Sequence, residues 1–187
     1  MKLTSYVDYT LVLSHRASAE EVAKAASSLM RALHSGFKTF PGEFALALPL
    51  LCEKNGMKRL SVFRVFAESS EQHAKLNDHV AKSKGYDKIF IAKFAKSVSK
   101  DFSGPYVAYH RDRIKSRERP NERLAKMTSL LESNAPWIDM SSTSNDHSFR
   151  LYIGTAVAAQ QNETEGEVNS YGFSRKDRPV FVPDLPV

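Results

Sequence analysis

Cysteine is nearly missing from this chain: Cys52 is the single one in 187 residues. An intrachain disulfide is therefore excluded, and with it a disulfide-stapled secreted scaffold; the usage fits a reducing cytoplasm. Long apolar runs are missing as well. The longest, Phe44 to Cys52, is nine residues and contains Pro49. Roughly 20 are needed to span a bilayer, so no membrane partner is expected. Asp8 interrupts the apolar stretch Tyr6 to Leu13, which leaves no signal-peptide core.

Several chemistries have no motif. There is no G-x-x-x-x-G-K-[ST], no G-x-G-x-x-G and no H-E-x-x-H among the six histidines, and one cysteine cannot build a zinc ribbon. No carboxylate cluster suggests a two-metal nuclease. Metal, ATP and nicotinamide chemistry thus lack support, and neither a metal nor a cofactor is expected.

A globular composition is present. Hydrophobic residues make up 42% and charged residues 26%, with 11 Phe and 7 Tyr to fill a core. The net charge of +6 is unevenly spread. Counted along the sequence, residues 1–86 carry a net +4, residues 87–126 a net +6 and residues 127–187 a net −4. A basic middle segment on a globular body suggests a polyanionic partner, most simply nucleic acid, or else a solvated basic face.

The first half alternates strands and helices. Tyr6 to Leu13 suits a strand. Ser18, three residues before Glu21, opens a helix with a capping box. Val22, Ala25, Ala26, Leu29 and Leu33 line one face of it, and Gly36 is the expected stop. Strands follow at Glu43 to Leu48 and Arg59 to Ala67, then a helix from Ser69 or Ser70 to about Lys84, then a strand at Lys88 to Phe94. The βαββαβ order predicts a ferredoxin-like domain over 1–96 within an α+β fold. An RNA-recognition motif shares the order, but its glycine-and-aromatic signature is absent from the third strand.

Residues 97–187 predict an RNA-recognition and catalytic-loop region of α/β type. Lys96 to Gly104 reads as a linker. Asn121 to Ser133 reads as a basic helix with Leu124, Met127, Leu130 and Leu131 as its apolar side. Ser141 to Asp146 is a polar loop. Phe149 to Ala158 and Val168 to Ser174 read as a paired β-hairpin, with a short last strand at Val180 to Val182.

RNA permits strand cleavage without a cofactor, because its own 2′-hydroxyl can attack the adjacent phosphate. The protein need supply a base, alignment and charge stabilisation. His34 is the best base, since an ordinary histidine titrates near neutral pH. Placed near a helix C-terminus and phosphates, its charged form would be favoured; the plainer alternative is a helix-capping histidine. Ser142 and Ser144 offer hydroxyls to a ribose or phosphate, or form an ordinary surface loop. Tyr171 precedes Gly172 in a predicted strand, where a core or edge tyrosine is the default. Arg111, Arg113, Lys115, Arg117 and Arg119 alternate, which would place five cations on one side of an extended segment, with Arg123 and Lys126 on the helix behind. Arginine suits phosphate clamping and bidentate contact with guanine.

These residues carry a resemblance. Ser142-x-Ser144, Ser148-Phe149-Arg150-Leu151-Tyr152-Ile153, Tyr171-Gly172-Phe173-Ser174 and Phe181-Val182-Pro183 resemble the type I-F CRISPR-associated endoribonuclease family. Leu33-His34 matches the position of the family's catalytic histidine. Arg111-x-Arg113-x-Lys115-Ser116 and Pro120-Asn121-Glu122-Arg123-Leu124 resemble its RNA-reading linker and arginine-rich helix. The likeness spans nearly the whole chain, strongest over 142–183 and loosest over 40–100. It implies a repeat-hairpin-specific enzyme that processes precursor CRISPR RNA. His34 would move the proton of the 2′-hydroxyl, Ser142 would hold that hydroxyl in line, and Tyr171 would orient the histidine. Phe149 would stack on the terminal base pair, Arg111 and Arg113 would read bases near the foot of the stem, and the helix from Asn121 would lie along the major groove. The enzyme would keep the mature CRISPR RNA and join the other subunits of a type I-F surveillance complex. Two departures stand out: Arg113 replaces the family's glutamine, and the helix offers only Arg123 and Lys126. A hairpin-binding subunit without turnover is the alternative, and a general toxin-type ribonuclease a third reading.

Overall fold

A computed structural model describes residues 3–51, 60–82, 89–114, 118–141, 147–159 and 166–187. The fold is α+β, built from two antiparallel sheets and three helices. The first sheet holds β1 (Ser5–Leu11), β2 (Ala45–Ala47), β3 (Val62–Ala67), β4 (Phe90–Ala92) and β5 (Lys96–Ser97). Its order is β2-β3-β1-β4, with β5 also on β1. Helices α1 (Ala19–Thr39) and α2 (Ser70–Ala81) complete the βαββαβ order read from the sequence.

Both helix starts are set by capping boxes. The Glu21 amide donates to Ser18 Oγ at 3.2 Å, and the Ser18 amide to Glu21 Oε2 at 2.7 Å. Ser69 and Gln72 repeat the device at α2. Such pairs satisfy amides that no helical carbonyl can reach. Gly36 does not stop α1, which runs on to Thr39. The glycine is there for close approach: a Cβ would collide with Leu76 of α2. Its smallness serves helix packing, and the helix ends one turn later with the Phe40 amide on the Gly36 carbonyl at 2.9 Å.

The second sheet differs from expectation. It holds β6 (Tyr106–Asp112), β7 (Trp137–Ser141), β8 (Ser148–Ala158) and β9 (Val182–Pro183), in the order β7-β8-β6-β9. The hairpin is formed by β7 and β8, with Ser141 opposite Ser148. It is not formed by 149–158 with 168–174. The β8 strand is already taken on both sides, by β7 and by β6. Residues 168–174 instead fold back on themselves: the Asn169 amide donates to the Phe173 carbonyl at 2.8 Å and the Gly172 amide to the Asn169 carbonyl at 2.9 Å. Nor is 96–104 only a linker, since β5 lies in it.

Helix α3 (Pro120–Glu132) starts with proline at its first position, where no amide hydrogen is needed. It buries none of its residues, and the expected apolar side is open, with Leu124, Met127 and Leu131 exposed. Two cations, Arg123 and Lys126, stand against two anions, Glu122 and Glu132, so the helix is charge-balanced rather than basic.

One hydrophobic cluster runs through both sheets. It includes Leu29, Leu33 and Phe37 of α1, Val65 and Phe66 of β3, Ile138 and Met140 of β7, and Leu151 and Ile153 of β8. α1 packs against β1, α2 and β7. Its buried face is therefore wider than the predicted stripe and takes in Met30, Ala32 and Phe37. This helix carries His34 to the junction of the two sheets.

Candidate active site and RNA interface

His34 lies on α1, half-buried. Its Nδ1 stands 2.6 Å from the carbonyl oxygen of Ser170. A carbonyl only accepts, so Nδ1 carries the hydrogen and Nε2 keeps its lone pair. The Tyr171 ring stacks on the imidazole with centroids 3.9 Å apart and planes within 6°. One turn, residues 169–173, thus supplies both the acceptor that chooses the tautomer and the ring that restrains it.

That turn reaches α1 for a steric reason. Gly172 has φ 76°, and a Cβ on it would stand 2.7 Å from Phe37 Cε2 and 3.0 Å from Leu46 Cβ. Its carbonyl accepts from the Leu46 amide at 2.8 Å, which pins the turn to β2. The Tyr171 amide donates to Asn169 Oδ1 at 2.8 Å, and an asparagine turn of this kind stiffens the loop. Ser174, buried, fixes the downstream end: its Oγ donates to the Val180 carbonyl at 2.8 Å, and its amide to the Tyr109 carbonyl at 2.7 Å.

Burial lowers the pKa of His34 below the ordinary histidine value. The Ser170 hydrogen bond opposes that shift, and the charges of Lys38 and Arg111 add to it. The sequence argument for a favoured charged form is therefore corrected. His34 sits five residues before the end of α1, so the helix dipole acts weakly, while desolvation and two cations disfavour a further positive charge. The imidazole is neutral near pH 7, with a basic nitrogen available.

Arg111, on β6, joins the histidine to Phe149 of β8. Its guanidinium carbon lies 5.2 Å from the Phe149 ring centre and 5.5 Å from that of Tyr171. Burial and the neighbouring Arg113 lower its pKa, and its Nε is buried without a hydrogen-bond partner. A cation held on ring faces suits an anion or a base edge. Arg113 is exposed beside it.

The structure brings together His34, Tyr171, Arg111 and Phe149. Arg119, Arg123 and Lys126 belong to a separate place, at and on α3. There the Lys126 ammonium pairs with Glu118 at 3.4 Å, and the Arg119 amide donates to Glu122 Oε2 at 3.3 Å. Strand β6 ends at Asp112, one residue before Arg113, and Arg119 stands at the start of α3. Ser142, Ser144, Lys115 and Arg117 lie outside the described residues. The sequence reading missed Ser170, whose backbone carbonyl leaves no side-chain signal. It also missed Asn169, although Asn-Ser-Tyr-Gly is itself a turn pattern.

Among the described residues, no three His, Cys, Asp or Glu side chains gather as a metal site, and no helix is long and apolar enough to cross a membrane. A cleft of about 460 Å³ elsewhere is bordered by Glu43, Glu68 and Glu167, with Arg178. Its carboxylates disfavour a polyanion there.

A neutral histidine base beside stacked arginine suits phosphodiester chemistry on a polyanion. The chain matches the model of the family described as CRISPR-associated protein (Cas_Csy4) over residues 6–184, and it belongs to that family, the Csy4 CRISPR-associated endoribonucleases of type I-F. The family places it in CRISPR RNA processing, with CRISPR RNA as its binding partner. No curated protein matches the chain.

Proposed function

We propose that the chain is a metal-independent endoribonuclease that cuts precursor CRISPR RNA at the foot of the repeat hairpin. The supporting observation is the imidazole of His34, with Nδ1 2.6 Å from the Ser170 carbonyl and the ring stacked on Tyr171, where burial lowers its pKa. Nε2 takes the proton of the 2′-hydroxyl upstream of the scissile phosphate. The 2′-oxygen bonds to phosphorus, the bond to the 5′-oxygen breaks, and the leaving oxygen takes up a proton. The products are a 2′,3′-cyclic phosphate and a 5′-hydroxyl.

Ser142 holds the 2′-hydroxyl in line in this reading, with Ser144 on the neighbouring ribose or phosphate. Tyr171 restrains the imidazole, and Phe149 offers its ring to the terminal base pair. Arg111 and Arg113 read the foot of the stem. Lys115, Arg117, Arg119, Arg123 and Lys126 contact phosphates. Residues 1–96 and 97–187 act as two units, the first supplying His34 and the second Tyr171, Ser142 and the RNA contacts. The product stays bound, and the protein joins other subunits of a surveillance complex in the cytoplasm.

The test is incubation with the repeat RNA in EDTA, with the new ends mapped. Cyclic phosphate ends are expected, and RNA with a 2′-deoxy nucleotide upstream of the cut should bind and stay whole. His34→Ala should keep binding and lose cleavage. Cleavage abolished by chelator and restored by magnesium refutes the mechanism. A wild-type protein that binds the hairpin and leaves it uncut is a hairpin-binding subunit instead.

A further inference from the structure

Arg31 stands on α1 one helical turn before His34, about 4.5 Å along the helix axis. It is half-buried where α1 meets β7. Its Nη1 donates to Ser141 Oγ at 3.0 Å and its Nη2 to Ser28 Oγ at 3.2 Å. Its Nε is buried without a partner, and no carboxylate among the described residues pairs with it.

Four other arginines of the described chain have their charge paired. Arg64, the most buried, is neutralised by Asp8 and accepted by two backbone carbonyls. Arg150, Arg175 and Arg178 each have a carboxylate. The arginines with a buried, unused Nε are Arg31 and Arg111, and both adjoin His34. Two serine hydroxyls orient a guanidinium plane but leave its charge whole. A partly buried, uncompensated cation is costly unless an anion arrives to offset it, and a guanidinium suits phosphate best, through paired donors.

We infer that Arg31 binds a backbone phosphate of the RNA next to the cleavage position, a contact independent of the arginines at 111–123. The inference rests on the reading that the chain binds the repeat hairpin. Ser28 and Ser141 hold the guanidinium for that phosphate. The cations that lower the pKa of His34 are Lys38 and Arg111.

The test uses repeat RNA made uncleavable by a 2′-deoxy nucleotide, so binding is read whether or not the protein cuts. Loss of Arg31 in Arg31→Gln should weaken binding roughly tenfold at moderate salt. It should also flatten the plot of log affinity against log salt by about one unit. Arg31→Lys should keep the slope. A scan placing one neutral methylphosphonate at a time should find a position that weakens the wild type and leaves Arg31→Gln unaffected. On cleavable RNA, Arg31→Gln should cut more slowly with the wild-type pH midpoint. Arg31→Met, which keeps a packed stem, replaces Arg31→Gln if the latter folds poorly. A wild-type salt slope in Arg31→Gln or Arg31→Met, with or without a lowered melting temperature, marks a structural arginine and overturns the inference. So does a scan with no coupled position. If instead the wild type binds and does not cut, the proposed reaction fails and the phosphate contact still stands or falls on its own slope.

Discussion

Replacing Gly172 by alanine should take the active site apart, and Gly42 provides the control. Both glycines have left-handed backbone, φ 76° and φ 79°. Alanine in that region costs roughly 1–2 kcal/mol at either position. Nothing lies within 4 Å of a Cβ at Gly42, whereas at Gly172 Phe37 Cε2 and Leu46 Cβ stand at 2.7 and 3.0 Å. Overpacking of that kind costs a further 1–3 kcal/mol or so. The difference between the two variants isolates the clash, because the backbone term is shared. At 1.4 kcal/mol per tenfold, it shifts the docking of the 169–173 turn by roughly 5- to 150-fold. The turn carries the Ser170 carbonyl and the Tyr171 ring, so undocking releases the tautomer and the stack together. Single-turnover cleavage of the repeat RNA should fall by up to that factor in Gly172→Ala and stay near wild type in Gly42→Ala. Hairpin binding should persist in both, because the contacts proposed for α3 and Arg113 lie outside the turn. Equal cleavage rates and equal melting temperatures for the two variants would refute the steric account of how the site is assembled.

Two further outcomes follow from charge. His34 must be unprotonated to act as base, and its pKa lies below the ordinary value of about 6.5. Cleavage should therefore rise with pH through a midpoint below that of an ordinary histidine; removing a cation in Lys38→Ala should move that midpoint upward, and a downward or absent shift in the pH–rate profile contradicts the assignment. Arg64 is 1% exposed and binds Asp8 at 2.6 and 3.0 Å, with the Leu185 and Pro186 carbonyls at 2.6 and 3.0 Å. Arg64→Met strands a buried carboxylate and should cost about 3–5 kcal/mol, a fall in melting temperature of roughly 6–20 °C, whereas Asp8→Leu with Arg64→Met should recover most of it; a single variant melting within two degrees or so of wild type would show that the pair is dispensable.

The pair also shows how the C-terminal tail is held. All six residues of β3 are buried, Arg64 included. Its guanidinium reaches out of the sheet to carbonyls more than a hundred residues later in the chain, so the tail covers that face. A charged residue in the apolar run Arg59 to Ala67 gave no hint of its partner, because pairing across such a separation has no local signature.

Local physics wrote much of this protein into its sequence. Ser18 with Glu21 and Ser69 with a helix behind it announced two helix starts, since capping needs only residues three apart. The βαββαβ order, a helix over Asn121 to Ser133, which the structure shows at Pro120–Glu132, and the candidacy of His34 were likewise readable from spacing and residue type. Other features were decided by packing. Gly36 looked like a helix stop and proved to be the close-approach point for Leu76, a neighbour from another helix. Residues 168–174 looked like a strand because Val168, Tyr171 and Phe173 favour one. They fold into a turn because β8 had no free edge left to offer, and that turn is what carries Tyr171 to His34. The protonation state of His34 was also a tertiary matter. Its helix position argued for charge, but burial and the approach of Arg111 from the second sheet argue more strongly against it. Local rules set where elements begin and what they can do; competition for strand edges, the volume left between two sheets and the desolvation of charge set which residues finally meet.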